Sequence, residues 1–332
     1  MALQLFPDTS KSIALKDGTT YAYIFIPPLS PTQPTFLLLH GFPSSSFDWR
    51  RVVPLLQEDG YGIIAPDLLG YGDTDKPTEL SAYSMKRMAD HLSELLQKEH
   101  IQQVIGVGHD MGSGLLSYTA LAHPSLFASI VFSSVGYVPP GSFDVDQFNI
   151  MTEQILGYPT FGYWKFFDED NAGSTLDTNS DSFVSLLYPQ HPEDWKTTMG
   201  PIGAAKSWIT NAKVTPLPAW LSEDDVQKRN QIFKRGGYTA PLNWYKGIMH
   251  KVDEPYNSTL TTEESKSIGL PSLVIVSEYD YVCVPDFQKP TANAYLCNHR
   301  IERLQCGHWI PLEKPTEFVA LLKSFAKSSS AA

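Results

Sequence analysis

One short motif places an acidic side chain in a turn suited to nucleophilic attack. Gly108-His109-Asp110-Met111-Gly112 follows an apolar run typical of a buried strand and precedes a helical stretch. The spacing Gly-x-nucleophile-x-Gly is that of a strained strand-to-helix elbow, with Asp110 as the nucleophile. Glycines suit the close packing around such a turn, and the positive end of the helix keeps a carboxylate ionised. In a second interpretation, Asp110 only caps the helix.

Two further residues complete a possible catalytic set. Asp280 follows one predicted strand, in Ser277-Glu278-Tyr279-Asp280, and His308 follows the last one, in Cys306-Gly307-His308-Trp309. The chain order of nucleophile, acid and histidine is a known order for catalytic triads. A histidine oriented by an acid can take a proton from water. We therefore predict Asp110, Asp280 and His308 as the catalytic residues.

A turn after an earlier strand supplies a third piece. His40-Gly41-Phe42-Pro43 follows an apolar run, and a sharp turn there can aim a backbone N–H at the site. We predict that the N–H groups of Phe42 and Met111 form an oxyanion hole. For His40 we expect a structural hydrogen bond rather than a catalytic role.

Apolar runs and amphipathic stretches alternate along much of the chain, and these elements must position the motifs. Strands are predicted at 13–15, 21–24, 35–39, 62–65, 103–107, 128–132, 273–276 and 300–304, and helices at about 85–100, 114–123 and 316–326. This alternation predicts a mostly parallel, doubly wound sheet with helices on both faces. In such sheets, functional side chains gather beyond the carboxyl ends of the strands.

The middle of the chain lacks this alternation. From about 139 to 249 it is rich in Trp, Tyr, Phe, Pro and Gly. We predict an inserted, mainly helical lid at 139–249, with the α/β core built from 1–138 and 250–332.

Three motifs together resemble the epoxide hydrolase branch of the α/β-hydrolase superfamily. They are His40-Gly41-Phe42-Pro43, the run from Ala65-Pro66-Asp67 to Asp75-Lys76-Pro77, and Gly108-His109-Asp110-Met111-Gly112. The resemblance covers nearly the whole chain. It implies the α/β-hydrolase fold and an attack by Asp110 on an epoxide, which forms an ester that water then hydrolyses to a diol.

Two segments of the predicted lid extend the resemblance. Pro241-Leu242-Asn243-Trp244-Tyr245 is similar to the lid motif whose tyrosine holds the epoxide oxygen, and the run from Pro159 to Phe167 is similar to the segment that supplies its partner. The resemblance therefore gives Tyr245 and Tyr163 this role, with Tyr158 as a fallback for Tyr163. We also expect Trp309, Trp244 and Phe42 to line the substrate pocket.

One departure from the family pattern keeps other functions open. Epoxide hydrolases usually carry Trp after the nucleophile, and this chain has Met111. A dehalogenase would use the same triad, but haloalkane dehalogenases commonly place Trp at this position and fluoroacetate dehalogenases place Arg. A cyclase, in which a substrate hydroxyl opens the epoxide, and a non-hydrolytic binding protein are further alternatives.

The composition limits the partners. The 332 residues carry a net charge of −11, which argues against nucleic acid or an anionic membrane as the main partner. No stretch reaches the roughly 18 apolar residues of a membrane helix. The three cysteines form no CxxC pair, and residues 1–15 do not resemble a secretory signal, so we expect a cytoplasmic protein. We expect a small apolar epoxide as substrate, no metal or organic cofactor, and a monomer or homodimer.

Overall fold

The computed structural model describes residues 2–329, and its centre is an eight-stranded sheet. The strands are β1 (Ser10–Ala14), β2 (Thr20–Ile26), β3 (Thr35–Leu39), β4 (Gly62–Pro66), β5 (Val104–His109), β6 (Phe127–Ser133), β7 (Ile268–Ser277) and β8 (Leu296–Leu304). Their spatial order is β1-β2-β4-β3-β5-β6-β7-β8. The pairs β1–β2 and β2–β4 are antiparallel, and the remaining pairs are parallel. The predicted mostly parallel sheet is confirmed.

Helices surround this sheet and also fill a long segment between β6 and β7. Before β6 the helices are α1 (Ala2–Leu5), α2 (Val53–Gln57), α3 (Met85–Lys98) and α4 (Met111–Ala122). Between β6 and β7 they are α5 (Val145–Leu156), α6 (Tyr163–Phe167), α7 (Ala172–Thr178), α8 (Ser180–Leu187), α9 (Trp195–Thr198), α10 (Ala204–Thr210), α11 (Glu223–Gly236), α12 (Thr239–Met249) and α13 (Glu254–Asn257). After β7 they are α14 (Pro285–Tyr295), α15 (Ile310–Glu313) and α16 (Pro315–Ser329). Short 3-10 helices cover Ser46–Arg51, Leu80–Tyr83, Pro124–Leu126, Pro192–Asp194 and Glu264–Lys266.

Alternate residues of the central strands pack on opposite sides of the sheet. In β3, Leu37 and Leu39 join the core cluster that contains side chains of α3 and α4. Phe36 and Leu38 join the cluster that contains side chains of α2 and α16. Every residue of β3 is buried, because helices cover both faces. This explains why the sequence shows continuous apolar runs here instead of alternation.

The segment from 134 to 267, which we call the insert, contains helices and turns but no strand. It is held to the rest of the chain by carboxylates at two places. Asp225 of α11 pairs with Arg50 Nε at 2.6 Å and with Arg51 Nη2 at 2.9 Å. Asp253 accepts hydrogen bonds from the N–H groups of Met85 and Lys86 in the first turn of α3, and from the hydroxyl of Ser84, just before this helix, at 2.6 Å. None of the helices within residues 2–329 combines the length and the apolar character needed to cross a bilayer.

Candidate active site

Asp110 sits at the sharp turn between β5 and α4. Its backbone has φ 53° and ψ −125°, a strained conformation for a residue with a side chain. A Cβ on Gly112 would overlap the backbone of β3, and one on Gly108 would overlap the start of α4. The close approach of these chains therefore requires both glycines. The sequence predicted the start of α4 at about residue 114, but the helix begins at Met111. Its first turn contains Gly112, a poor helix former, because the close packing there leaves no room for a Cβ.

The carboxylate of Asp110 points into the site instead of capping the helix. It makes no side-chain cap hydrogen bond. Its Oδ1 accepts the Phe42 N–H at 2.8 Å, and its Oδ2 lies 3.6 Å from His308 Nε2. Burial raises the pKa of Asp110, but the hydrogen bond and charge of His308 outweigh this and hold it below the ordinary value. The Asp110 carboxylate is therefore ionised although it is buried.

Asp280 and His308 lie side by side beyond the carboxyl ends of β7 and β8. His308 Nδ1 is 2.6 Å from Asp280 Oδ2, and Asp280 Oδ1 accepts the N–H groups of Val282 and Cys283 at 3.0 and 2.8 Å. Burial lowers the pKa of His308, but the charge of Asp280 and hydrogen bonds to Asp110 and Asp280 outweigh it. They hold this pKa well above the ordinary value. The structure thus brings the three predicted catalytic residues together.

Two tyrosines of the insert face Asp110. Tyr163 begins α6 and Tyr245 lies in α12, with ring centroids 6.0 Å apart. Burial raises the pKa of both phenols well above the ordinary value, and the charge of Asp110 adds to this shift. Both hydroxyls are therefore neutral hydrogen-bond donors at neutral pH. The fallback residue, Tyr158, donates instead to the backbone oxygen of Tyr281 at 3.1 Å.

A cavity of about 470 Å³ lies between the sheet and the insert. Asp110, Tyr163 and Tyr245 line it at the catalytic end. Its other walls are largely apolar and aromatic, and they include Met111, Tyr118, Phe161, Trp164, Val282 and Cys283. A volume of this size suits a small organic ligand.

The residues predicted to line the pocket lie elsewhere. The Trp244 indole N–H donates to the Leu69 oxygen at 2.9 Å, and that of Trp309 donates to the Leu187 oxygen at 2.9 Å. The ring of Phe42 packs against Tyr245, with centroids 5.0 Å apart. None of the three lines the cavity, because their side chains join the insert to the core. Phe42 still contributes its backbone N–H to Asp110.

The turn at 40–43 directs one backbone N–H at Asp110, and the predicted oxyanion hole of Phe42 and Met111 stays a prediction. The Phe42 N–H already contacts Asp110, and Met111 starts α4, so its N–H has no partner within the helix. His40 has a structural environment. Its Nε2 accepts the Leu68 N–H at 3.0 Å, and its Nδ1 contacts the Gly41 oxygen at 2.9 Å.

Comparison with known proteins places this site in a family. Residues 34–315 match the family described as "alpha/beta hydrolase fold". The chain belongs to this family. This α/β-hydrolase is 28% identical over 291 residues to "Bifunctional epoxide hydrolase 2" of Sus scrofa, a match that covers 87% of the chain but only 50% of that relative. It is also 28% identical over 304 residues to "Epoxide hydrolase A" of Mycobacterium tuberculosis, which covers 89% of the chain and 91% of the relative.

Solved structures agree with this assignment. Epoxide hydrolase A from Mycobacterium thermoresistibile superposes with a TM-score of 0.80 at 26% identity, covering 96% of this chain and 97% of the other. An epoxide hydrolase from an endophytic Streptomyces gives a TM-score of 0.82 at 26% identity, covering 97% and 96%. The chain spans about half the length of the bifunctional relative but nearly the full length of these two structures.

Sequence reasoning missed the groups that hold the histidine loop of this α/β-hydrolase. The carboxylate of Glu313 accepts the Gly307 N–H at 2.8 Å and the Trp309 N–H at 3.0 Å. The His308 carbonyl oxygen accepts the Ser134 hydroxyl at 2.6 Å and lies 3.0 Å from His109 Nε2. Ser134 comes from the end of a different strand, so local spacing carried no signal for this contact.

The sequence also gave no indication of a thiol beside the triad. Asp280, Cys283 and His308 each offer a ligand atom within 4.8 Å of the other two. This group could hold a metal ion, although the sequence predicted no ligand cluster. Asp280 and Cys283 are three residues apart, but the distance to His308 depends on how β7 and β8 pair.

Proposed function

We propose that this α/β-hydrolase opens epoxides with water and releases vicinal diols. The observation that carries the proposal is the placement of Tyr163 and Tyr245 in the same cavity as the Asp110 carboxylate. Two neutral phenols opposite a nucleophile suit a substrate whose leaving oxygen stays attached to the carbon skeleton and must be protonated. The names of the relatives and of the structural neighbours support the same reaction.

In the first step, an Asp110 oxygen attacks a ring carbon of the epoxide. A carbon–oxygen bond forms, the ring carbon–oxygen bond breaks, and a tyrosine hydroxyl gives its proton to the leaving oxygen. The product is an ester between Asp110 and the substrate. Ester formation removes the Asp110 carboxylate, whose hydrogen bond to His308 is one of the causes of the raised pKa of His308. This loss favours the neutral imidazole that the next step requires.

In the second step, water hydrolyses the ester. His308, oriented by Asp280, takes a proton from water, and the hydroxide attacks the ester carbonyl of Asp110. The N–H groups of Phe42 and Met111 stabilise the oxyanion that forms. Removing one such donor typically raises the barrier by about 3 kcal/mol. Collapse of the intermediate breaks the ester carbon–oxygen bond, and the protonated His308 gives its proton to the leaving oxygen, which releases the diol. The proton of the regenerated Asp110 acid returns to the tyrosine that had donated one in the first step.

The origin of the product oxygen tests the proposal. In a single turnover in isotopically labelled water, the first diol should take its new oxygen from Asp110 and carry no label. Immediate label in the diol would show direct attack by water and contradict the ester mechanism. Asp110→Ala should abolish turnover, and His308→Gln should accumulate the ester, detected by mass spectrometry of the peptide that contains Asp110.

The products that the chain forms separate the alternatives. Halide release without epoxide turnover would favour a dehalogenase, and a cyclic ether without solvent oxygen would favour a cyclase. Full activity of Asp110→Ala would end both the hydrolase proposal and the dehalogenase alternative, which shares its nucleophile.

We propose further that 139–249 acts as the lid of the core formed by 1–138 and 250–332. The proposed substrate is a small, largely apolar epoxide, and the proposed steps use no metal or organic cofactor. The free cysteines Cys283, Cys297 and Cys306 support a cytoplasmic location. Both a monomer and a homodimer are compatible with this function.

A further inference from the structure

A thiol lies inside the catalytic centre. Cys283 lines the cavity that contains Asp110, and it is partly buried. Its sulfur lies within 4.8 Å of ligand atoms of Asp280 and His308. Its backbone N–H donates to Asp280 Oδ1 at 2.8 Å, so the acid and the thiol are held in one loop. Neither step of the proposed reaction uses this thiol.

We propose that Asp280, Cys283 and His308 form an inhibitory site for a thiophilic divalent cation such as Zn²⁺ or Cd²⁺. Zinc takes thiolate sulfur, imidazole nitrogen and carboxylate oxygen as ligands, with bonds of about 2.0–2.3 Å. Two ligand atoms on one tetrahedral ion therefore lie roughly 3.5 Å apart. From separations of up to 4.8 Å, small side-chain movements bring the three atoms to one ion. Three protein ligands leave the fourth position for water.

The surroundings give an ion access and favour its charge. The Asp280 side chain is fully buried, so the ion reaches the site from the cavity, past Cys283. The Asp110 carboxylate, 3.6 Å from His308 Nε2, adds a second negative group beside the imidazole. On binding, the thiol loses its proton to solvent and the ion replaces the proton of the coordinating imidazole nitrogen. No oxidation or reduction is involved.

Binding at this position removes the base that hydrolyses the ester. An ion bound to His308 Nε2 uses the lone pair that would accept the proton of water. An ion bound to Nδ1 leaves the ring proton on Nε2, so that nitrogen has no lone pair to accept a second proton. The effect on turnover rests on the proposed function, whereas the binding itself does not. Zn²⁺ or Cd²⁺ should therefore stop diol formation, and a chelator should restore it.

Cd²⁺ titration of the full chain tests the site without any substrate. The ultraviolet charge-transfer band of a cadmium–thiolate bond should saturate at one ion per chain. Cys283→Ser and Cys283→Ala should lack this band. One of the two variants is enough for the test, provided that it folds. Cys297→Ser and Cys306→Ser are the matched controls and should keep it. In the unmutated chain, Cd²⁺ should protect Cys283 from alkylation and leave the exposed Cys297 reactive.

Two results would overturn the site. One is a band that survives in a folded Cys283 variant. The other is a His308→Gln variant that binds Cd²⁺ as tightly as the unmutated chain, which would mean that the thiol alone holds the ion.

Epoxide turnover gives the second readout, with each variant compared with its own metal-free rate. Loss of an outer-shell partner alone costs about 10–100-fold in metal affinity. The Cd²⁺ concentration for half-inhibition should therefore rise by at least about tenfold in Cys283→Ser and stay unchanged in Cys297→Ser. Equal sensitivity of all variants would contradict the inference and leave the proposed function intact. Absence of epoxide turnover in the unmutated chain would end the proposed function. The cadmium–thiolate band would still show whether Cys283 binds the ion.

Discussion

The side chains at the catalytic end of the cavity divide into charged and neutral groups. Asp110 keeps its charge because His308 and the Phe42 N–H compensate for burial. The phenols of Tyr163 and Tyr245 stay protonated because burial opposes their ionisation. A buried carboxylate opposite two buried donors is the arrangement that the first step of the proposed reaction needs.

Removing the two hydroxyls should slow the first step. Each of Tyr163→Phe and Tyr245→Phe should lower the rate of ester formation by roughly tenfold, because one donor remains, and the double variant by roughly 10²–10⁴-fold. Rapid mixing followed by mass spectrometry of the Asp110 peptide measures this rate. Tyr158→Phe is the control, since its hydroxyl bonds to the backbone oxygen of Tyr281. Ester formation at the full rate in the double variant would remove the tyrosines from the mechanism.

At the scale of elements, the loop after β8 depends on groups from several parts of the chain. Glu313 of α15 accepts the N–H groups on either side of His308, and Ser134 after β6 donates to the His308 oxygen. Burial raises the pKa of Glu313, although the two N–H groups act against this shift. We therefore expect Glu313 to be a positioning residue that acts through His308.

A variant of this residue should separate the two steps. Glu313→Gln keeps the size of the side chain but replaces one carboxylate oxygen with a donor, so one of the two N–H groups loses its partner. Ester hydrolysis should slow by about 10–100-fold, since small misplacements of a catalytic group cost this much. Ester formation should change little, so the ester should accumulate during turnover.

The control for this effect is Glu317→Gln in α16, where the exposed carboxylate contacts Lys314 at 3.5 Å. It should leave both steps unchanged. A Glu313→Gln variant that slows both steps equally would indicate a general structural defect instead of a positioning role.

The contact between α11 and the 3-10 helix at 46–51 should contribute to stability in a pH-dependent way. Burial acts to raise the pKa of Asp225, but the hydrogen bond and charge of Arg50 outweigh it and hold this pKa at about 2. An unfolded aspartate titrates near 3.9. Because the folded value is the lower one, the stabilisation is present above about pH 4 and is lost as the pH falls toward 2.

Asp225→Asn should lower the free energy of unfolding at pH 7 by about 1–2 kcal/mol, and this difference from the unmutated chain should shrink between pH 4 and 2. Urea unfolding at several pH values measures it. Asp224→Asn, which changes the neighbouring exposed carboxylate that pairs with Lys228, should cost less than about 0.5 kcal/mol. Equal losses in the two variants would mean that the pairing with Arg50 and Arg51 adds no stability.

At the scale of the whole molecule, the cavity exists only where the sheet and the insert meet. Met111 contributes to the wall from the start of α4, while Tyr163 and Tyr245 contribute from the insert. The resemblance to epoxide hydrolases predicts Trp in the place of Met111, so this chain has a smaller side chain beside Asp110 than that resemblance implies. We expect the resulting space to accept substituents next to the epoxide.

Met111→Trp should therefore discriminate between substrates by size. The value of kcat/KM for a bulky epoxide should fall by about tenfold or more, while that for a small epoxide should change little, because only the larger group meets the indole. Met151→Trp on the exposed face of α5 is a matched control outside the cavity wall. An equal loss for both epoxides would show that the indole disturbs Asp110 rather than the space beside it.

Much of the fold could be predicted because local chemistry specifies it. The strand predicted at 35–39 matches β3, and that at 62–65 lies within β4, since strands buried on both faces need continuous apolar runs. The start of α4 was placed three residues too late, because Gly112 is a poor helix former that the elbow requires. Trp244 and Trp309 were predicted in the pocket but anchor the insert, since an aromatic type alone does not say which surface it packs against.

The sequence by itself determined the strands and the elbow that carries Asp110, because these depend on residues close together in the chain. The order of Asp110, Asp280 and His308 can be read from it directly. Only the tertiary structure decided which side chains surround them. The contact of Ser134 with His308 spans 174 residues, and the approach of Cys283 to His308 depends on the pairing of β7 with β8. Packing of distant elements sets such distances, and no local spacing encodes them.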